Sequence, residues 1–236
     1  MTTPARSAHA KNAVSTLVSG SAGVLLVGYL AQPILTRLFS PAAFGEMDLF
    51  LATLGLLMPV ASLRYEDAVL LPEDEREAGS VWMLALAILT VATMLTAGAV
   101  WALRSRLDAS GVLSWAVWLA PALFVTRAGK LAEVWLSRHR RFALVSRGQV
   151  AQAGLIAVLR LAAGVREMGM IGLLGGYLVG QAATAIYWLG AAIRKSGRIL
   201  IESMHGQALR AAAVRYRRFA GYSTPSTLLN AVNTRL

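Results

Sequence analysis

Apolar stretches about as long as a bilayer is thick divide this chain, and its charge is confined almost wholly to the short segments between them. A helix rises 1.5 Å per residue, so about 20 apolar residues cross a hydrocarbon core of about 30 Å. Soluble domains carry about 25% charged residues, whereas this chain carries 15%, with 56% hydrophobic residues. The pattern predicts an all-α integral membrane protein, a polytopic helical bundle. Six transmembrane helices are expected over 14–36, 46–68, 78–103, 112–136, 148–165 and 168–193. A polar lead, 1–13, precedes them. A basic loop, 194–218, and the start of a seventh helix, 219–236, follow. The lead carries Arg6 and Lys11 like the n-region of a signal peptide, but the next apolar run is too long for one and lacks an A-x-A cleavage site.

The formal net charge of +11 raises the question of nucleic acid. A nucleic-acid-binding face would interleave its basic residues with polar and aromatic ones, whereas here they sit in inter-span segments, so no nucleic-acid partner is expected. With the N-terminus inside, the inner segments hold 15 Lys and Arg residues and the outer ones four, Arg37, Arg104, Arg106 and Arg166. That asymmetry predicts a cytoplasmic N-terminus, and contacts of the basic loops with anionic membrane lipids. The absence of cysteine excludes disulfide scaffolds and thiol chemistry. His9, His139 and His205 are too scattered for a metal site, so neither metal nor cofactor is expected. No phosphate-binding loop ending in Gly-Lys-Ser/Thr occurs, so energy from ATP bound by this chain is not expected either.

Ile34–Ala78 carries the strongest local signals. Ser40-Pro41 reads as an N-cap followed by proline at N1. Between Asp48 and Arg64 lie only 15 uncharged residues, about 22 Å of helix, which is too short to cross alone. Arg64, Glu66 and Asp67 are therefore drawn into the inner third of the bilayer, with the apolar run resuming at Ala68. Trp82 and Trp101, near the two ends of the third span, are expected at the interfaces. Small residues at Ser15–Gly23, and Gly172, Gly176 and Gly180 at four-residue spacing, suit close helix packing.

Charges inside spans mark candidate sites. Arg127 and Lys130 share a helix face. They line a polar cavity, or snorkel to headgroups, or Lys130 pairs with Glu133. Arg160 either faces a cavity or serves as an interfacial anchor or a packing hydrogen bond to backbone. Arg64 either meets a ligand or is neutralised by Asp67 and Glu66. Glu66 and Asp67 are also candidates for ion or proton coupling.

TRLFSPAAFG (36–45), RYEDAVLLPEDEREA (64–78), the basic run after the fourth span, GYLVGQ (176–181) and RFAGYSTPSTLLNA (218–231) occur in order. Together they resemble the bacterial polysaccharide-biosynthesis transporters, the oligosaccharide flippase family of the multidrug/oligosaccharidyl-lipid/polysaccharide exporter superfamily. Ala42 and Ala43 depart from the acidic pair common after the Ser-Pro. The resemblance implies flipping of undecaprenyl-pyrophosphate-linked oligosaccharide across the bacterial inner membrane by alternating access. A polysaccharide polymerase and other assembly proteins would be partners. It further implies that Arg127, Lys130, Arg160 and Arg64 are candidates for the pyrophosphate and glycan. The family has two six-helix lobes and about twice this length. On that basis the sequence corresponds to an N-terminal lobe, a fragment or truncated gene product, and transport is expected from the two-lobe protein.

Three other functions compete. A drug or cation exporter of the same superfamily predicts an acidic cavity, while the intramembrane excess here is basic. A membrane-embedded glycan enzyme needs large extramembrane loops, and the longest here has about 25 residues. No enzymatic activity is expected. A non-transporting remnant is the third.

Overall fold

The computed structural model describes residues 22–203, 205–206 and 209–216, so the expected lead and seventh helix lie outside the described residues. Every described element is helical: α1 (Ala22–Leu38), α2 (Pro41–Ser62), α3 (Tyr65–Ala68), α4 (Glu75–Ala102), α5 (Arg104–Ala109), α6 (Leu113–Ala116), α7 (Leu119–Arg138), α8 (Phe142–Val165), α9 (Gly169–Glu202) and α10 (209–216). Among them α2, α4, α8 and α9 are long and apolar enough to cross a membrane. Their outward faces are apolar as well. On α4, Val91, Met94 and Leu95 are exposed, a continuous surface that suits lipid and would be an association patch in water.

The helices run alternately up and down. α1 lies parallel to α8, with Gly23 against Val150 near one end and Gly164 against Leu38 and Phe39 near the other. At the first end the N-terminus of α4 meets the C-termini of α7 and α9. Arg138 lies 3.4 Å from Glu75 there, and Ser203 Oγ donates to the Arg76 carbonyl at 3.1 Å. The basic segments 138–147 and 194–215 collect at this end. Arg37, Arg104, Arg106 and Arg166 belong to the opposite one.

Local chemistry explains the helix ends. Ser40 Oγ accepts from the Ala43 N–H at 3.2 Å with Pro41 in the first turn, as the Ser-Pro pair predicts. Asp74 caps α4 in the same way through the Glu77 N–H at 3.1 Å. α5, α7 and α8 each end in a Schellman turn with one left-handed residue, at Gly111, Arg140 and Glu167. For α7 the Arg141 N–H reaches the Leu136 carbonyl and the Arg140 N–H the Ser137 carbonyl, both at 2.9 Å. Such turns reverse the chain within three residues and keep α7, α8 and α9 adjacent.

Four expectations need correction. The second span does not run on to residue 68. It stops at Ser62, where Leu63 and Arg64 are left-handed (φ 46° and 56°), before the single turn α3. Residues 112–136 are not one helix, because turn residues Val117 and Trp118 separate α6 from α7. The loop expected from residue 194 is helical through Glu202, since Leu200 stays buried and carries the packing of α9 past the apolar run. Trp82 is not interfacial. Its indole is buried, donates to the Leu131 carbonyl at 3.1 Å and meets Trp135 edge-on at 6.3 Å. Trp101 is exposed beside Arg104, 5.1 Å over its ring.

Beyond α9, α10 folds back onto the start of α4. Arg215 lies 2.9 Å from Glu77, the Tyr216 hydroxyl donates to Glu77 at 3.1 Å, and the Tyr65 hydroxyl donates to the Ala213 carbonyl at 3.3 Å. Burial pushes the Tyr216 phenol above its ordinary pKa, and the Glu77 contact acts in the same direction.

α8 and α9 make the tightest helix pair. A Cβ on Gly176 would fall 2.8 Å from Arg160 Cγ, one on Gly172 2.7 Å from Ala163 Cβ, and one on Gly180 inside the Ile156 side chain. Glycine at all three is what lets the backbones approach. Gly176→Leu or Gly180→Leu is expected to lower the thermal stability of the detergent-solubilised protein by several degrees. Gly175→Leu, where a Cβ meets nothing within 4 Å, should leave it nearly unchanged. Because the chain has no cysteine, single cysteines at Ser110 and Arg140 test the alternation directly. A membrane-impermeant maleimide should reach them from opposite faces of a vesicle, and labelling of both from one face would overturn the arrangement.

Candidate functional site

α7 is the most polar of the long helices and the most enclosed. It packs against α2, α4, α8 and α9, and eleven of its residues are buried. That packing leaves the Arg127 and Glu133 side chains largely buried and Lys130 half-exposed, so two of the three charges of this bilayer-length helix are enclosed by protein.

Arg127 points toward the break after α2. Its Nη2 donates to Ser62 Oγ at 2.6 Å and forms a very short ion pair with Glu66 Oε1. Both charged side chains are largely buried. Glu66 reaches Arg127 because the left-handed pair Leu63-Arg64 turns the chain before α3. Two such non-glycine residues cost about 1–2 kcal/mol each, which the pair at its end offsets. Arg64 contacts Asp67 instead, Nε donating to Oδ2 at 2.9 Å. Of the two acids weighed as neutralising it, Asp67 does so and Glu66 goes to α7.

Lys130 pairs with Glu133, Nζ to Oε1 at 3.1 Å. Arg160 Nε donates to the Leu173 carbonyl at 3.0 Å, lying across Gly176, so it is a packing hydrogen bond between α8 and α9. The structure thus brings Arg127, Lys130, Arg64, Glu66 and Asp67 to one region of the bundle and leaves Arg160 elsewhere on α8.

Arg127 and Lys130 share a cavity of about 230 Å³ between α7, α8 and α9, with Glu133, Gln149, Gln152 and Gln181 among its other walls. Gln152 Nε2 donates to Gln181 Oε1 at 2.6 Å, bridging α8 and α9. The two α8 glutamines lie about 10–15 Å along the helix from its N-terminus, well inside a span. Gln149, Gln152 and Gln181 also line a second space of about 490 Å³, otherwise apolar and bounded by Val24, Leu25 and Ile156. A polar chamber and an apolar groove therefore meet at three glutamines.

Sequence reasoning assigned none of these glutamines a role. Their signal was present: amides at i and i+3 in an apolar span are as exceptional as charges there. It also missed Arg138, which the charge asymmetry absorbed as a topology marker. Its guanidinium donates to the Val69 and Glu73 carbonyls at 3.1 and 3.4 Å and lies beside Glu75, holding the segment between α3 and α4 to α7.

Compared with protein-family models, with curated proteins and with solved structures, the chain matches none.

The three ion pairs differ in consequence. Removing one partner of a buried pair costs about 3–5 kcal/mol because a charge is left uncompensated, whereas a half-exposed pair at i,i+3 contributes about 0.2–0.5 kcal/mol. Glu66→Leu and Arg127→Leu are each expected to lower unfolding stability in detergent by about 3–5 kcal/mol. The double variant should lose much less than the sum. Additive losses in that cycle would show that the two side chains do not interact. Lys130→Leu should cost under about 1 kcal/mol.

Proposed function

We propose that this chain is a six-span lobe of a bacterial polysaccharide-biosynthesis transporter, an oligosaccharide flippase of the inner membrane with its N-terminus in the cytoplasm. The two-lobe transporter of which it forms half moves a lipid-linked oligosaccharide between leaflets by alternating access. One observation carries the reading: a polar chamber inside an apolar bundle shares its glutamine wall with an apolar groove. A substrate with a hydroxyl-rich or anionic head on a hydrocarbon chain matches both halves at once. A purely polar solute would leave the apolar groove unused.

The ordered sequence segments that resemble the flippase family support the same substrate, as does the basic end of the bundle, which suits a cytoplasmic face. In this reading Lys130, Gln149, Gln152 and Gln181 meet the head. Amide side chains both donate and accept, which suits sugar hydroxyls, and Lys130 supplies a point charge for phosphate oxygens. Arg127 and Glu66 hold α7 to α3, Arg64 and Asp67 hold the break itself, and Arg160 holds α9. A cationic-drug exporter fits less well, because Glu66, Asp67 and Glu133 are each paired with a cation of the chain.

Deleting the coding sequence should abolish one surface polysaccharide of its bacterium. The wild-type gene should restore it, and Lys130→Ala with Gln152→Leu should not, although the variant inserts at normal levels. Unchanged polysaccharide in the deletion strain, or full restoration by the double variant, would sink the assignment.

A further inference from the structure

Lys130 and Glu133 stand one turn apart on α7, and both line the polar chamber, with Nζ 3.1 Å from Oε1. They differ from the deeper pair in two respects. The Arg127 and Glu66 side chains are only 15% and 6% exposed and join two elements, whereas the Lys130 side chain is 44% exposed. The carboxylate on Lys130 also belongs to the same helix, so parting the two needs side-chain rotation only. An anion entering the chamber therefore meets one reachable ammonium with a carboxylate already on it. Glu133, 18% exposed, also faces the chamber.

On the reading that the chamber receives the head of a pyrophosphate-linked lipid, we infer that Glu133 is a built-in counter-anion. It holds Lys130 while the chamber is empty and yields it to a pyrophosphate oxygen when the ligand enters. It then competes to take the ammonium back, which hastens release. The exchange moves no proton and breaks no covalent bond. Its basis is that two anions contend for the donors of one ammonium. At the reduced dielectric of a bundle interior, the carboxylate and a phosphate a few ångströms apart also repel. Glu133 thereby limits how tightly the chamber grips an anion, without touching the glutamines that face the glycan.

The test uses the full chain in lipid nanodiscs, titrated calorimetrically with inorganic pyrophosphate and with a short isoprenyl pyrophosphate. Glu133→Gln keeps the shape and removes the charge, and Glu133→Ala serves where the first variant inserts poorly. Either is expected to bind about tenfold tighter than wild type and to dissociate more slowly. Lys130→Gln with Glu133→Gln should lose that gain. A gain with both probes identifies the anion alone as sufficient, and a gain confined to the isoprenyl probe identifies a lipid-borne head; both support the inference. Wild type that binds while Glu133→Gln binds equally or more weakly overturns it and leaves the chamber assignment standing. A gain that survives loss of Lys130 overturns it too. Binding by neither wild type nor Glu133→Gln brings down the chamber assignment along with the inference.

Discussion

A charge carried into a bilayer must be shielded or answered, and the arrangement of this bundle follows from doing both for α7. Burying an unpaired guanidinium costs far more than the marginal stability of a domain allows. Arg127 is answered by Glu66 and Ser62, and the helix is shielded by α2, α4, α8 and α9. The answer constrains the chain elsewhere. Glu66 reaches α7 only because α2 stops at Ser62 and two left-handed residues redirect the backbone. Strained backbone and buried pair are thus one feature. Each would be unfavourable without the other, since the strain positions the carboxylate and the carboxylate neutralises the arginine.

The second constraint is distance. α8 and α9 approach closely enough for Arg160 to lie over Gly176 and for Ile156 to fill the space beside Gly180. In lipid no hydrophobic effect drives two apolar helices together, so close packing and interhelical hydrogen bonds must do so. The glycine face supplies the first, and Arg160 to Leu173 together with Gln152 to Gln181 supply the second. Where the glycines hold the helices tight there is no room for a ligand. The chamber opens further along the pair, where polar side chains replace the glycines.

Much of the architecture was legible because it rests on composition and on local rules. Ser40-Pro41 announces a helix start through its own chemistry, and the glycine spacing of α9 announces close packing without knowledge of the partner. The break at Leu63-Arg64 was not legible, since neither residue favours the left-handed region. Only the reward at Glu66, contributed by a helix some 60 residues away, makes that conformation worthwhile. The site was legible in half. Charges in spans are conspicuous, so Arg127 and Lys130 were found, whereas the glutamines carry no charge and form a shared wall only when α8 and α9 are brought together. Trp82 errs the other way: its position near a helix end suggested an interface, but the carbonyl of Leu131 was available to its indole.

Pairing also bears on what a carrier needs. A free arginine fork in a low-dielectric chamber would hold a pyrophosphate through several charge-assisted hydrogen bonds. A carrier that binds so tightly stalls, because passage requires that a site be favourable enough to enter and weak enough to leave. In this bundle Arg64, Arg127 and Lys130 each have a carboxylate from the same chain beside them, and the chamber's hydrogen-bonding wall is made of neutral amides. Binding there would draw on many modest contacts with a head group and on the apolar groove for its chain. On the proposed function, such a site would discriminate by shape and hydroxyl pattern more than by charge. Charge in this bundle therefore organises helices first: the buried arginine ties α7 to α3, and the more exposed lysine is the one cation of the three that faces the chamber with its partner on its own helix.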